Sequence, residues 1–282
     1  MNIADYPVQG PLAEFGQKHY MLMARRNAQL LATEYAYLPE SPLQSLLFYR
    51  AVSARAPLLL FFHGGGWTNG YKEYAAFMGP LFALLGISFA TVGYRLAPEH
   101  VFPAGWDDCA AAVRWCRDNG TMLDVSPDGI FVGGFSAGAH YASLLATRQD
   151  WQAPRGLPLD IVKGCLPISG SYRFGEGAGF AARPRFLGAE EQRNESAASP
   201  INHVGAHCPP FYIAWGEWDF PHLVSQAREF AAALRARGVA VNTLELPERD
   251  HLGAGLAAGE IQGPWFASAR AWIESQCERA EQ

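Results

Sequence analysis

Four groups of residues in this 282-residue chain have the types and spacing that acyl transfer requires. Gly134-Phe135-Ser136-Ala137-Gly138 fits G-x-S-x-G, with an apolar run over 130–132 before it and Ala-rich, helix-forming sequence after it. A serine at the apex of so sharp a strand-to-helix corner sits in strained backbone, and glycine on either side removes side chains that would collide there. Its hydroxyl is barely ionised at neutral pH, so Ser136 needs a base. His251, in Arg249-Asp250-His251-Leu252-Gly253 after the last predicted strand, is placed to take that proton and return it to a leaving group. Asp219, just past the preceding predicted strand, would orient His251 and stabilise its imidazolium. Glu217 competes for that role, while Asp250 is too near His251 in sequence to reach its ring easily. His63-Gly64-Gly65-Gly66-Trp67 ends another apolar run. The N–H groups of Gly65 and Gly66, with that of Ala137 at the start of the helix after Ser136, would bind an oxyanion.

These groups need a scaffold that brings them together. Apolar runs at 43–49, 58–62, 87–92, 130–132, 161–169, 210–215 and 239–246 predict strands, with Ser126-Pro127-Asp128-Gly129 read as a turn. Helical sequence lies between most of them: 12–31, 107–119 stopped by Gly120, 137–148, 223–237 and 264–277. Alternating strands and helices mean an α/β class with a mainly parallel sheet and helices on both faces. One domain is expected, with 1–40 and 170–207 as cap or mouth segments. In such a sheet ligands gather outside the carboxyl ends of strands, which is where all four groups fall.

Composition narrows the function. A formal net charge of -5 argues against a general nucleic-acid binder. The glycine loop carries neither G-K-[ST] nor a dinucleotide fingerprint, and the histidines never take metal-ligand spacing, so no cofactor and no metal are expected. Five widely spaced cysteines without C-x-x-C read as buried thiols of a reducing compartment, with Cys109 and Cys116 on one helix face. The uncharged stretch 74–94 is long enough to span a bilayer, but Gly79-Pro80, Gly86 and Gly93 interrupt it, and a helix followed by a buried strand is the better reading. The opening residues lack the basic start and apolar core of a secretory signal, so the cytoplasm is the expected location. A homodimer is left open.

The chain resembles the α/β-hydrolase superfamily, and within it the hormone-sensitive-lipase-like esterases and the kynurenine formamidases. HGGGW at 63–67 is similar to the oxyanion motif, YRLAPEHVFPAGWDD at 94–108 to the esterase signature, and GFSAGAH at 134–140 to the formamidase elbow. The resemblance implies an α/β-hydrolase fold with a small cap, and a Ser136, Asp219, His251 triad. Gly66 follows the esterase form where formamidases often carry tyrosine, whereas Phe220-Pro221 followed by Gln226 is nearer to formamidases. The expected activity is cofactor-independent cleavage of a small N-formyl or N-acyl amide, or a short-chain ester, in the manner of a kynurenine formamidase. The alternative is a carboxylesterase of the hormone-sensitive-lipase type; a ligand-binding receptor on a vestigial hydrolase fold is the non-enzyme alternative. Trp67, Tyr172, Trp218 and Phe220 are the expected substrate contacts, Trp67 by stacking on an aromatic leaving group.

Overall fold

In a computed structural model of the chain, residues 31–280 are described, together with Gln9, Lys18, Met21 and Leu22. Lys18, Met21 and Leu22 are helical; the rest of the helix expected over 12–31, and with it most of the 1–40 mouth segment, lies outside the described residues. Among the described residues eight strands form one sheet: β1 (Thr33–Ala36), β2 (Ser45–Tyr49), β3 (Ala56–Phe62), β4 (Ser88–Val92), β5 (Val125–Phe135), β6 (Gly164–Ile168), β7 (Phe211–Gly216) and β8 (Val241–Leu246). Their order is β1-β2-β4-β3-β5-β6-β7-β8. Pairings are antiparallel from β1 through β2 to β4 and parallel from there on. The helices are α1 (Gly79–Leu84), α2 (Ala104–Asp118), α3 (Gly120–Leu123), α4 (Ala137–Thr147), α5 (Glu195–Ala198), α6 (Pro221–Ala236), α7 (His251–Leu256) and α8 (Pro264–Ala280).

Period-two alternation on β3 shows how the layers are made. Leu58, Leu60 and Phe62 enter a core shared with Cys109, Val113 and Cys116 of α2, Leu145 of α4 and Phe230 of α6. Leu59 and Phe61 enter the opposite core, with Phe82 of α1, Ala254 of α7 and Trp265 and Ile273 of α8. A strand covered on both faces has no polar side to show, which is why its sequence is an unbroken apolar run. Cys109, Cys116, Cys165 and Cys208 are buried free thiols, while Cys277 is half-buried. The stretch 74–94 breaks into a 3-10 turn, α1 and β4, and among the described residues no helix is long and apolar enough to cross a membrane.

The structure departs from the expected elements in three places. β1 has no counterpart in the predicted elements; it is a largely exposed edge strand, Thr-Glu-Tyr-Ala, without an apolar run. Ser126-Pro127-Asp128-Gly129 lies within β5 rather than in a turn before it. The register with β3 jumps from Ala56↔Val125 to Leu58↔Ile130, so these residues form an outward bulge in a strand that continues. Gly120 does not stop helical structure but opens the short α3, which ends at Asp124 in left-handed backbone.

Two polar clusters fix the parts of the fold nearest the strand ends. Asp108 of α2, 1% exposed, accepts from Arg95 Nη2 at 2.7 Å, from the Arg95 backbone N–H at 2.8 Å and from Gln44 Nε2 at 2.8 Å. The ends of β2 and β4 are thereby tied to α2. Residues 170–207 run over the sheet without joining it, and buried Gln226 of α6 knits them down. Its Oε1 accepts from the N–H groups of Tyr172 and Arg173 at 2.7 and 2.8 Å, and its Nε2 donates to the Ala178 carbonyl at 2.7 Å. Within that segment Arg183 donates to Glu195 Oε1 at 2.6 Å, to Asn194 Oδ1 at 2.8 Å and to the carbonyls of Leu187, Gly188 and Ala189. The Arg183 hydrogen bond, aided by the residue's own N–H, holds the Glu195 carboxyl at about 2.

Removing the buried Asp108 carboxylate leaves the enclosed Gln44 amide and the partly exposed Arg95 without their acceptor, so Asp108→Ala is expected to cost about 1.5–3 kcal/mol. A fall in the urea midpoint checks this, with Asp108→Asn recovering part of the loss. Glu195 has a folded-state pKa below its unfolded value, so its bond to Arg183 stabilises fully above about pH 4.3 and fades as pH falls toward the folded value. Pepsin cleavage within 175–195 is expected to rise over that acid window, and Glu195→Gln is expected to be cut readily even at its upper end, as read by mass spectrometry.

Candidate active site

Backbone proximity builds the elbow. Ser136 has φ 54 and ψ -116, outside the regions open to most residues. Its N–H donates to the Ile168 carbonyl at 2.9 Å, and its own carbonyl accepts from His140 N–H at 3.1 Å. A Cβ on Gly134 would run into the backbone of Gly138, and a Cβ on Gly138 into the Phe62 carbonyl. The two glycines are therefore what allow α4 to start against the ends of β3 and β5.

Asp219 and His251 arrive from the next strand ends. His251 Nε2 lies 3.0 Å from Ser136 Oγ, and its Nδ1–H donates to Asp219 Oδ1 at 2.8 Å. His251 opens α7 rather than sitting in a loop, and Asp250 is the helix cap, its Oδ1 accepting from Gly253 N–H at 2.7 Å. Glu217 points elsewhere and accepts from Glu248 N–H at 2.9 Å. The Asp219 carboxylate is buried, which by itself would raise its pKa. The hydrogen bond and charge of His251 overcome that, helped by the Phe220 N–H at 2.7 Å and by the Ser169 hydroxyl, which stands beside the carboxylate without a full hydrogen bond. The net result is a pKa below the ordinary aspartate value.

The glycine loop closes the other side. Gly65 and Gly66 have φ 133 and 60. Gly65 is boxed against the Asn69 backbone, whereas no described atom beyond its chain neighbours lies within 4 Å of where a Cβ on Gly66 would stand. Among the described residues none accepts a hydrogen bond from the N–H of Gly65, Gly66 or Ala137. Donors without acceptors near a serine suit an anion that forms only during reaction. His63, the first residue of this loop, is no base: it is buried, stacked on Tyr94 at 4.2 Å, and desolvation brings its pKa down to about 4.

The four expected substrate contacts divide. Phe220 is half exposed, with its ring 5.1 Å from His251 and 5.8 Å from His222. Trp218 is 62% exposed to solvent, held through its N–H to the Arg249 carbonyl. Tyr172 is fully buried and stacks on Phe230 of α6 at 4.4 Å, so it supports the segment from beneath rather than lining an opening. Trp67 is also in the core, 8% exposed, stacked on Phe186 at 4.3 Å and bonded through its indole N–H to His140. Its face is occupied by protein, not free for a leaving group. Phe180 and His222, 5.6 Å apart, continue the aromatic wall from Phe220 toward Trp67. Sequence gave no signal for them, because they come from separate segments.

A family model described as the alpha/beta hydrolase fold matches residues 59–254. Esterase LipQ of Mycobacterium tuberculosis is 33% identical over 217 residues, covering 71% of this chain and 51% of LipQ. Esterase LipC of the same organism is 33% identical over 229 residues, covering 74% and 56%. The matched region thus spans about half the length of these curated relatives. The hyperthermophilic esterase from the archaeon Pyrobaculum calidifontis shares the fold with a TM-score of 0.76 at 23% identity, over 95% of this chain and 92% of that one. On the strength of the family match and of the sheet and elbow described above, this chain belongs to the α/β-hydrolase-fold family.

Proposed function

We propose that the chain is a serine hydrolase of carboxylic esters. The observation that carries this reading is the hydrogen-bonded row Ser136–His251–Asp219, at 3.0 and 2.8 Å, beside backbone N–H groups that find no acceptor among the described residues. Ser136 Oγ attacks the carbonyl carbon while its proton passes to His251 Nε2. The carbonyl oxygen becomes an oxyanion held by the N–H groups of Gly65, Gly66 and Ala137. Collapse breaks the bond to the alcohol oxygen, which takes the proton from His251 and leaves an acyl-Ser136. Water then repeats the sequence and releases the acid. Asp219 keeps the His251 proton on Nδ1 and stabilises the imidazolium without being protonated itself.

Ester cleavage takes precedence over the formamide reading. The esterase names of LipQ and LipC support it, and so does Gly66 in place of tyrosine. The formamidase-like features have other work here: His140 binds Trp67 and the Ala198 carbonyl, and Gln226 clamps residues 172–178. The intact row of three also counts against a ligand receptor that has lost catalysis.

Ser136→Ala is expected to bring hydrolysis of p-nitrophenyl acetate to background and to abolish labelling by a fluorophosphonate while the melting temperature stays near wild type. Residual turnover well above background in that variant would sink the mechanism. Asp219→Asn is expected to retain the fold and lose about 10⁴-fold in kcat, because the proton then sits on the wrong imidazole nitrogen. Rates on p-nitrophenyl acetate, p-nitrophenyl butyrate and N-formylkynurenine measured side by side decide the substrate class, with faster turnover of the short esters expected.

A further inference from the structure

The glycine loop and helix α4 meet on either side of Ser136, and one buried side-chain connection ties them together. The Trp67 indole N–H donates to His140 Nδ1 at 3.1 Å, and His140 Nε2 lies 2.7 Å from the Ala198 carbonyl. An indole nitrogen only donates and a carbonyl only accepts, so the ring is neutral with its proton on Nε2. Burial favours that state, holding the pKa of His140 down to about 3. The ring is fully enclosed, with Phe174 at 4.8 Å and Phe186 at 5.6 Å.

Both ends of this connection lie next to the reacting groups. Trp67 follows Gly66 directly, and both have left-handed backbone, φ 62 and 60. The Trp67 carbonyl is fixed by Ala97 N–H at 2.9 Å, so the residue is held at its backbone and at its indole. His140 is one helical turn after Ser136 and donates its N–H to the Ser136 carbonyl at 3.1 Å. Through Ala198 the same ring reaches residues 170–207.

We propose that His140 is a positioning residue: as a neutral imidazole it anchors Trp67, and thereby sets the separation between the glycine-loop N–H donors and the nucleophile carried on its own helix. This rests on the serine-hydrolase reading above. Bonds to the oxyanion tighten only as it forms, so a misplaced loop lowers kcat and leaves substrate binding nearly unchanged.

Trp67→Phe keeps a ring to stack on Phe186 and deletes the donor together with part of the indole's bulk, whereas His140→Leu removes the acceptor and leaves the indole intact. It is compared with wild type, His140→Leu and His140→Gln in p-nitrophenyl acetate kinetics, inhibition by a trifluoromethyl ketone, fluorophosphonate stoichiometry and thermal melting. In Trp67→Phe and His140→Leu, kcat is expected to fall by about tenfold or more with KM within about twofold. Ketone affinity is expected to weaken in step with kcat/KM while one fluorophosphonate still attaches per chain. His140→Gln, which restores an acceptor and a donor, is expected to recover part of kcat. Wild-type kcat in Trp67→Phe, or a loss of kcat with unchanged ketone affinity, overturns the proposal; because Trp67→Phe carries the decision, unfolding of His140→Leu does not affect it. A wild-type protein that neither turns over the ester nor takes the label overturns the hydrolase reading itself, and this proposal with it.

Discussion

The rest of the site depends on one close approach of two backbones, where Gly138 at the start of α4 lies against the Phe62 carbonyl at the end of β3. It fixes how near the elbow helix stands to the glycine loop that β3 leads into. It also holds Ser136 in a conformation that costs on the order of 1–3 kcal/mol and persists only because its surroundings over-determine it. The Ile168 carbonyl on one side and His140 on the other supply that restraint. Move the helix outward by the width of a methyl group, and Ser136 Oγ leaves His251 while the Ala137 N–H leaves the loop.

The chemistry was more legible in the sequence than its surroundings. Ser136, Asp219 and His251 could be singled out because each follows an apolar run, and a parallel sheet gathers such positions at one edge. Central strands were plain for the same reason: burial on both faces leaves no polar side. β1 was missed because an exposed edge strand carries no such run. The start of β5 reads as a turn because Ser-Pro-Asp-Gly has the residues of one, and only pairing with β3 makes it a bulge. Tyr172 and Trp67 were beyond reach in another way. An aromatic side chain has the same spelling in a pocket wall and in a core, and the difference lies in Phe230 and Phe186, far away in sequence.

The longest recognisable stretch, YRLAPEHVFPAGWDD, turns out to serve construction. Its arginine and its second aspartate are Arg95 and Asp108, a pair with a buried carboxylate that ties strand ends to α2 and bonds to none of Ser136, His251 and Asp219. Gln226 does similar service for the segment over the site. Residues that mark a family are thus divided between chemistry and the scaffolding that lets backbone donors face an open site.

Gly66 shows where this arrangement leaves latitude. Its neighbour Gly65 is walled in by Asn69, but around the position of a Gly66 Cβ no described atom beyond its chain neighbours stands within 4 Å. The obstacle to a side chain is then the left-handed backbone alone, which asparagine and aspartate tolerate best. A side chain there would change the exposed side of the loop without repacking any residue beyond its chain neighbours. At the third glycine the outer surface of the loop can therefore vary independently of the backbone path beneath it.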